Sequence, residues 1–402
     1  MQGLLTNKNF RNLWFAQIIS QIAINMMAFV LAIRVYQETS SNAAVSFTFL
    51  SLGLPALLLG MPSGVLADYV DRKTILLFAN FSRAILLLLF FFVFRHVFII
   101  YVLVFVISSI TQLFIPAEGS LMADLVESKD LLRVNSLFTL SFYSSLALGF
   151  IASGPALSLF GKHYIFLFLS FLLFIATYFI FRLSVKKSLK TVQFWINFLG
   201  KFQKLLNSTI SGLRLVVTHE KIFAVILLIT LMQVIATVFS ALIPGFADTI
   251  LKIKVEDASF IVLGPTVLGI LSGAVFVNYW DRANLQGRRF VACALFLIAG
   301  ILFILPFCSF VLTLFLLYIL GVLQSMLLVS SYEIVQKNVS TEFRGRAYGV
   351  LTSFIGGASI FPALIFGALA DAFGISITLQ ILALTIVFFA LYRLKTKNGV
   401  IY

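Results

Sequence analysis

The sequence predicts an all-α membrane protein with twelve transmembrane helices in two six-helix halves. Of its 402 residues, 61% are hydrophobic and 11% are charged, and the mean hydropathy is +1.08. Apolar stretches of 18 or more residues recur along the chain, each long enough to cross a hydrocarbon core of about 30 Å. The predicted spans cover residues 11–35, 44–67, 74–94, 97–122, 132–156, 164–182, 222–246, 258–279, 290–306, 310–334, 347–370 and 375–393.

The distribution of basic residues predicts the orientation in the membrane. With the N-terminus inside the cell, 23 of the 29 Lys and Arg residues fall in inward segments and five in outward segments, and Arg83 falls within a span. Basic residues concentrate in cytoplasmic loops, so both termini are expected in the cytoplasm. The net charge of +14 then faces the anionic membrane lipids of the inner leaflet, and no nucleic-acid partner is expected.

The residues that support metal, redox or nucleotide chemistry are sparse. Cys293 and Cys308 form no C-x-x-C pair, and His96, His163 and His219 are scattered at loop edges. The phosphate-binding G-x-x-x-x-G-K pattern does not occur. We therefore expect no metal, no cofactor and no enzyme activity.

A weak internal repeat predicts the two halves, because transporters are often built from repeated units. At an offset of 213 residues, matched side chains occupy equivalent positions relative to the spans. The matched pairs are Lys8 and Lys221, Phe10 and Phe223, Asp68 and Asp281, and Arg133 and Arg346. We expect an N-terminal half at 1–184, a cytoplasmic linker at 185–220 and a C-terminal half at 221–402.

The predicted linker carries aromatic residues at helical spacing. Phe194, Phe198 and Phe202 recur every four residues, with Lys201 and Lys204 nearby. This pattern favours an amphipathic helix on the cytoplasmic membrane surface. The alternative is a mobile basic linker whose aromatic residues are incidental.

Four charges are concentrated between the second and third spans. The stretch "GVLADYVDRK" at 64–73 holds Asp68, Asp71, Arg72 and Lys73 between two long apolar runs. Charges avoid the bilayer centre and gather in loops, and an Asp at such a turn can face the positive N-terminus of a neighbouring helix. Arg72 can pair with a carboxylate of the next cytoplasmic loop, such as Asp124.

Twelve spans in two parallel halves with this loop resemble the major facilitator superfamily. "GVLADYVDRKTIL" is similar to its signature loop, with Gly64, Asp68, Arg72 and Lys73 matching and Asp71 replacing the usual second glycine. The sequence most resembles the macrolide-efflux-like branch, of the drug:proton antiporter-3 type, in three further stretches: "IPAEGSLMADLVESKDLLRVNSL" (115–137), "SGLRLVVTHEKIF" (211–223) and "TEFRGRAYGV" (341–350).

The resemblance implies a conformational latch and a bacterial inner-membrane location. In the superfamily the signature loop latches the two halves in the outward-open state. By resemblance, the latch residues here are Gly64, Asp68, Asp71, Arg72, Lys73, Asp124, Arg344 and Arg346. The alternative is that the cluster only sets topology, which accounts for the two basic residues but not for the two acidic ones.

The superfamily fold also implies which polar residues face the substrate, since its helices 1, 4, 7 and 10 line the cavity. The resulting cavity candidates are Gln17, Gln21, Asn25, Gln112, Gln233, Gln324 and Tyr332. A mostly apolar cavity with a few polar anchors suits amphipathic or hydrophobic molecules. For any single residue of this set, hydrogen bonding between helices is the alternative.

Three ionisable residues within the spans are candidates for proton coupling. Arg83 lies about 15 Å along the third span, Glu118 lies in the inner part of the fourth, and Glu333 lies in the tenth. A buried carboxylate can take up and release protons, and an Arg83–Glu118 pair would lower the cost of burying both charges. The alternative is that the two carboxylates are hydrated anchors at the membrane edge.

These features together predict a secondary active exporter of amphipathic or drug-like small molecules that works by alternating access and is coupled to protons. The alternatives are a lysophospholipid flippase or siderophore exporter, a non-transporting sensor, and a polytopic lipid-modifying enzyme. A monomer is the expected state for this fold.

Overall fold

The computed structural model describes residues 6–67, 70–93, 96–126, 130–185, 220–279, 288–338 and 360–395, and within these ranges the chain is helical apart from short turns. The α-helices are α1 (Lys8–Thr39), α2 (Asn42–Ala67), α3 (Arg72–Val93), α4 (Val97–Asp124), α5 (Leu131–Phe181), α6 (Glu220–Phe246), α7 (Ala258–Ile261), α8 (Leu263–Tyr279), α9 (Arg288–Ile304), α10 (Phe310–Asn338), α11 (Ile360–Phe373) and α12 (Ile375–Lys395). A π-helix (Ala247–Leu251) follows α6, and 3-10 helices cover Val255–Asp257 and Leu305–Phe307.

The predicted all-α membrane architecture is confirmed. Within the described ranges, nine helical stretches are long and apolar enough to cross a membrane, and two shorter apolar helices are Ile360–Phe373 and Ile375–Leu391. The count of twelve spans stays a prediction.

The long helix α5 is divided by a kink. A straight helix of its 51 residues would measure about 77 Å, more than twice the hydrocarbon thickness of about 30 Å. Gly161 interrupts it with φ 72° and ψ 172°, a conformation that only glycine adopts without strain. The predicted spans 132–156 and 164–182 lie on either side of this kink.

The chain divides into two compact units. Unit 1 comprises residues 1–38 and 51–205, and unit 2 comprises residues 39–50 and 206–402. Helix α2 therefore begins in unit 2 and continues in unit 1. The boundaries expected at 184 and 220 stay predictions, and the expected amphipathic linker helix lies outside the described residues.

The core of unit 1 joins four helices through close-packed apolar side chains. Helices α1, α3, α4 and α5 each contribute at least two buried residues to it. The cluster contains Phe10, Leu13, Ala16, Ile75, Leu76, Ala79, Phe114, Ala117, Leu121, Met122, Val134, Phe138, Ile180 and Leu183. This core holds the α3–α4 pair that carries the charged side chains described below.

In unit 2, glycines bring the backbones of α8 and α10 into direct contact. A Cβ atom on Gly269 would meet the carbonyl oxygen of Tyr318, and one on Gly321 would meet the carbonyl oxygen of Thr266. Small residues at membrane helix interfaces allow such close approach. The α8–α10 spacing therefore depends on the absence of side chains at these positions.

We predict that Gly321→Ala destabilises the protein by about 1–3 kcal/mol, because the added methyl group overpacks the α8–α10 contact. The matched control is Gly300→Ala in α9, where a Cβ atom would have no neighbour within 4 Å. That change removes glycine from a helix interior and is expected to stabilise it by up to about 1 kcal/mol. The thermal unfolding midpoint in detergent is measured for both variants and compared with that of the native protein. Equal shifts of the midpoint in the same direction would contradict the close α8–α10 packing.

Candidate functional site

The charged loop before α3 caps helix ends in unit 1. The Asp71 carboxylate accepts hydrogen bonds from the Thr74 backbone N–H at 3.0 Å and from the Thr74 hydroxyl at 2.8 Å. A carboxylate at this position satisfies a free N–H group of the first turn and interacts favourably with the helix dipole. Asp71 is therefore the N-cap of α3.

The next residue, Arg72, binds the C-terminal end of α4. Its guanidinium donates to the Ser120 carbonyl oxygen at 3.2 Å and forms an ion pair with the Asp124 carboxylate. The structure thus brings together Arg72 and Asp124, two residues of the predicted latch. Both side chains are partly exposed, at 33% and 53%, so water weakens the attraction between them.

Lys73 binds the C-terminal end of α5. Its ammonium group donates to the carbonyl oxygens of Phe181 at 2.9 Å and Leu183 at 2.6 Å, and it lies 5.7 Å from the centre of the Phe181 ring. A cation at a helix C-terminus pairs with carbonyl groups that have no partner within the helix. Three consecutive charged residues thus fix the ends of three helices.

Two asparagines at the start of α1 complete this network. The Asn7 side chain donates to the Leu125 carbonyl oxygen at 3.1 Å, and Asn9 exchanges two hydrogen bonds with the Ser184 backbone at 2.9 and 3.0 Å. Asn7 also caps α1 by accepting from the Asn9 and Phe10 N–H groups. Sequence reasoning missed both residues, although Asn immediately before an apolar helix is a recognisable N-cap signal.

The latch itself remains a prediction, because Asp68, Arg344 and Arg346 lie outside the described residues. Gly64 lies inside α2, which continues to Ala67, the last residue of the predicted second span. The hydrogen-bond partners described for Asp71, Arg72 and Lys73 all belong to unit 1.

Deeper in unit 1, Arg83 lies in a polar cluster between α3 and α4. Its side chain is 1% exposed and donates to the Ala79 carbonyl oxygen at 3.2 Å, to the Asn80 amide oxygen and to the Thr111 hydroxyl at 3.3 Å. The guanidinium carbon lies 4.7 Å from the centre of the Phe114 ring, within the range of a cation–π interaction. The cation is thus held by neutral groups and by an aromatic face.

Helix α4 also carries a buried carboxylate, Glu118. It is 7% exposed, and its Oε1 atom has no hydrogen-bond partner. This degree of burial does not fit a hydrated anchor at the membrane edge. The amide nitrogen of Asn80, whose oxygen accepts from Arg83, is likewise buried without a hydrogen-bond partner.

The expected Arg83–Glu118 ion pair is not formed, since no ion pair of the described residues joins these side chains. The reason is geometric: Arg83 reaches α4 at Thr111, and Glu118 lies seven residues further along, which is about 10 Å of helix. Asn80 and Thr111, which bind Arg83, were not identified from the sequence.

Three cavity candidates of unit 1 donate hydrogen bonds to backbone carbonyl oxygens. Gln17 donates to the Phe138 carbonyl oxygen at 3.4 Å and has a buried amide oxygen without a partner. Asn25 donates to the carbonyl oxygen of Gln21 at 2.8 Å, and Gln112 donates to the carbonyl oxygen one turn before it. Gln17 therefore joins two helices, whereas Asn25 and Gln112 bond within their own helices.

In unit 2, the remaining candidates lie on two helices that pack against each other, α6 and α10. Gln233 belongs to α6, and Gln324, Tyr332 and Glu333 belong to α10. All four side chains are half-buried. The structure thus brings these residues to adjacent helices, and it does not bury Glu333 as deeply as Glu118.

The described part of the chain has the all-helical fold of a polytopic membrane protein, and the family that it matches is one of membrane transporters rather than enzymes. The chain belongs to the Major Facilitator Superfamily, whose family model matches residues 13–362. The uncharacterized MFS-type transporter YfiS of Bacillus subtilis (strain 168) is 25% identical over 406 residues, which cover 97% of this chain and 94% of that protein.

Two transporters are examples from among the solved structures of similar fold. The nucleoside transporter NupG matches with a TM-score of 0.68 and 17% identity over 96% of this chain and 99% of that chain. A bacterial homolog of the human lysosomal transporter Spinster, in an inward-facing and unoccupied conformation, matches with a TM-score of 0.73 and 12% identity over 96% and 95% of the two chains. At such identities the likeness shows the fold alone.

We predict a small but coupled contribution of the Arg72–Asp124 pair to stability. Arg72→Gln and Asp124→Asn should each lower the free energy of unfolding, and the double variant should lose less than the sum, with a coupling of about 0.2–1 kcal/mol. The control is Arg133→Gln, which breaks a longer ion pair of 3.8 Å with Asp130 whose arginine is 75% exposed. Denaturation of all four variants in detergent measures the coupling, and strictly additive losses would contradict the pairing.

Proposed function

We propose that this chain is a secondary active exporter of amphipathic or drug-like small molecules, that it works by alternating access, and that protons drive it through Glu118. The proposal includes membership of the macrolide-efflux-like branch, cytoplasmic termini and a monomeric state. The observation that carries the proton part is the buried Glu118 carboxylate, whose Oε1 atom lacks a hydrogen-bond donor.

The low polarity of the interior supports an amphipathic substrate. Among the described residues, the charged side chains that are buried are Arg34, Arg83 and Glu118. A strongly charged solute would have to leave its charges unpaired in such surroundings, which is costly. A solute with a large apolar surface and a few polar groups would lose less, because half-buried amide side chains such as Gln233 and Gln324 would supply the few hydrogen bonds that it needs.

The surroundings of Glu118 support its role as the proton carrier. An ionised carboxylate that is buried without a donor costs free energy, and protonation removes this cost. Arg83 lies on the neighbouring helix α3 and carries the opposite charge to the ionised form, but it makes no ion pair with Glu118 in this conformation. Loss of the proton would therefore draw the Glu118 and Arg83 side chains together and change the α3–α4 contact.

We predict that a pH gradient stimulates transport of a fluorescent amphipathic dye by the reconstituted native protein and that Glu118→Gln abolishes the stimulation. The substitution keeps the size and hydrogen-bonding capacity of the side chain but removes its ability to exchange a proton. The measurement compares dye accumulation in proteoliposomes with and without the imposed gradient.

Glu333→Gln is the matched control in α10. Stimulation that survives in Glu118→Gln but disappears in Glu333→Gln would transfer the proton role to Glu333. Dye transport that never responds to the gradient would contradict proton coupling, and absence of dye transport together with movement of a labelled lysophospholipid would contradict the substrate class.

A further inference from the structure

The carboxylate of Asp371, near the end of α11, binds the start of α2. It accepts hydrogen bonds from the Ser41 hydroxyl at 2.5 Å, the Asn42 backbone N–H at 2.6 Å, the Asn42 side-chain amide at 3.1 Å and the Ala43 backbone N–H at 3.1 Å. We call this set of contacts the clasp. It joins residues more than 300 positions apart in the sequence and lies within unit 2.

Helix α2 does not need Asp371 for its own N-cap. Ser41 already supplies a local cap, since its hydroxyl oxygen accepts from the Ala44 N–H at 3.1 Å. Asp371 adds an ionised acceptor from another helix at the positive end of α2, where charge-assisted hydrogen bonds are strong. The clasp thus holds the start of α2 in place against α11, and α2 does not need it in order to form a helix.

The packing beside the clasp is close, because glycines of α6 and α11 face the start of α2. A Cβ atom on Gly367, one turn before Asp371, would lie 2.9 Å from the Asn42 carbonyl oxygen and 3.0 Å from the Ser46 Cβ. A Cβ atom on Gly245 in α6 would lie 3.1 Å from the Asn42 Cγ. The side chains of Asn42 and Ser46 therefore occupy the space that these two glycines leave free, so the start of α2 fits closely against α6 and α11.

The clasp also lies where water can replace it. Asp371 is exposed, whereas Ser46, one turn further along α2, is fully buried. Hydrogen bonds at a solvent-accessible edge exchange for hydrogen bonds with water at little net cost. Because α2 runs from the clasp into unit 1, release at this point would free the first turns of a helix that both units share.

We propose that Asp371 is a releasable clasp that holds the start of α2 against α6 and α11, and that the transporter opens at this end when the clasp is released. This end of the bundle, where α1 meets α2, is the one that the charge distribution predicts to lie outside the cell. The inference rests on transport by alternating access, but it does not depend on the solute or on proton coupling.

The test measures how often Ser46 becomes accessible. In a background with Cys293→Ser and Cys308→Ser, Ser46→Cys reports opening through its rate of reaction with a maleimide in detergent solution. Asp371→Asn should accelerate labelling several-fold, because the amide no longer offers an ionised acceptor to the clasp donors. Asp257→Asn is the matched control, since Asp257 is an exposed carboxylate of the same unit that makes no side-chain cap hydrogen bond to α7.

Two further variants separate the role of charge from general loosening. Asp371→Glu keeps the carboxylate and should label at nearly the parent rate. Asn42→Asp places a second carboxylate against Asp371 and should accelerate labelling even though Asp371 is intact. Asn42→Asp also tests the clasp independently if Asp371→Asn does not yield a monodisperse protein.

The proposal is overturned if Asp371→Asn or Asn42→Asp, in folded form, labels at the parent rate, or if Asp257→Asn accelerates labelling as much. These outcomes are distinct from failure of the proposed function, because labelling requires neither a dye nor a pH gradient.

Discussion

The cost of placing charge in a bilayer determines how this chain uses the few charged residues that it has. Helix ends offer a solution, because each presents N–H or carbonyl groups without partners inside the helix. Asp71 caps the start of α3, Arg72 and Lys73 bind the C-terminal ends of α4 and α5, and Asp371 binds the start of α2. These charged side chains thus bind helix ends without lying in the hydrocarbon region themselves.

Glu118 departs from this arrangement. Its carboxylate is buried within α4, and one of its oxygen atoms has no donor, whereas Arg83 hydrogen-bonds to Ala79, Asn80 and Thr111. The described charges Asp71, Arg72, Lys73 and Asp371 find partners at helix ends, whereas Glu118 is buried inside a helix with an oxygen atom that lacks a donor. That contrast is the physical basis for assigning the proton to Glu118.

The sequence predicted the helical membrane fold well, because long apolar runs determine it almost by length alone. It also predicted that Arg72 can pair with Asp124, since opposite charges on adjacent loops have few other partners. The expected ion pair between Arg83 and Glu118 was wrong, because the distance between these side chains depends on how far α3 and α4 are displaced along each other. The clasp was not predicted, because Asp371 and Asn42 carry no motif and meet only through the packing of Gly367 and Gly245.

The most direct test of the account is a count of protons released when the substrate binds. An amphipathic dye is added to the detergent-solubilised protein in weakly buffered solution, and the pH change is recorded for the native chain and for Glu118→Gln. Substrate binding that competes with the proton on Glu118 should release protons from the native chain and none from the variant. Equal release from both proteins, or dye binding without any release, would contradict the assignment of the proton to Glu118.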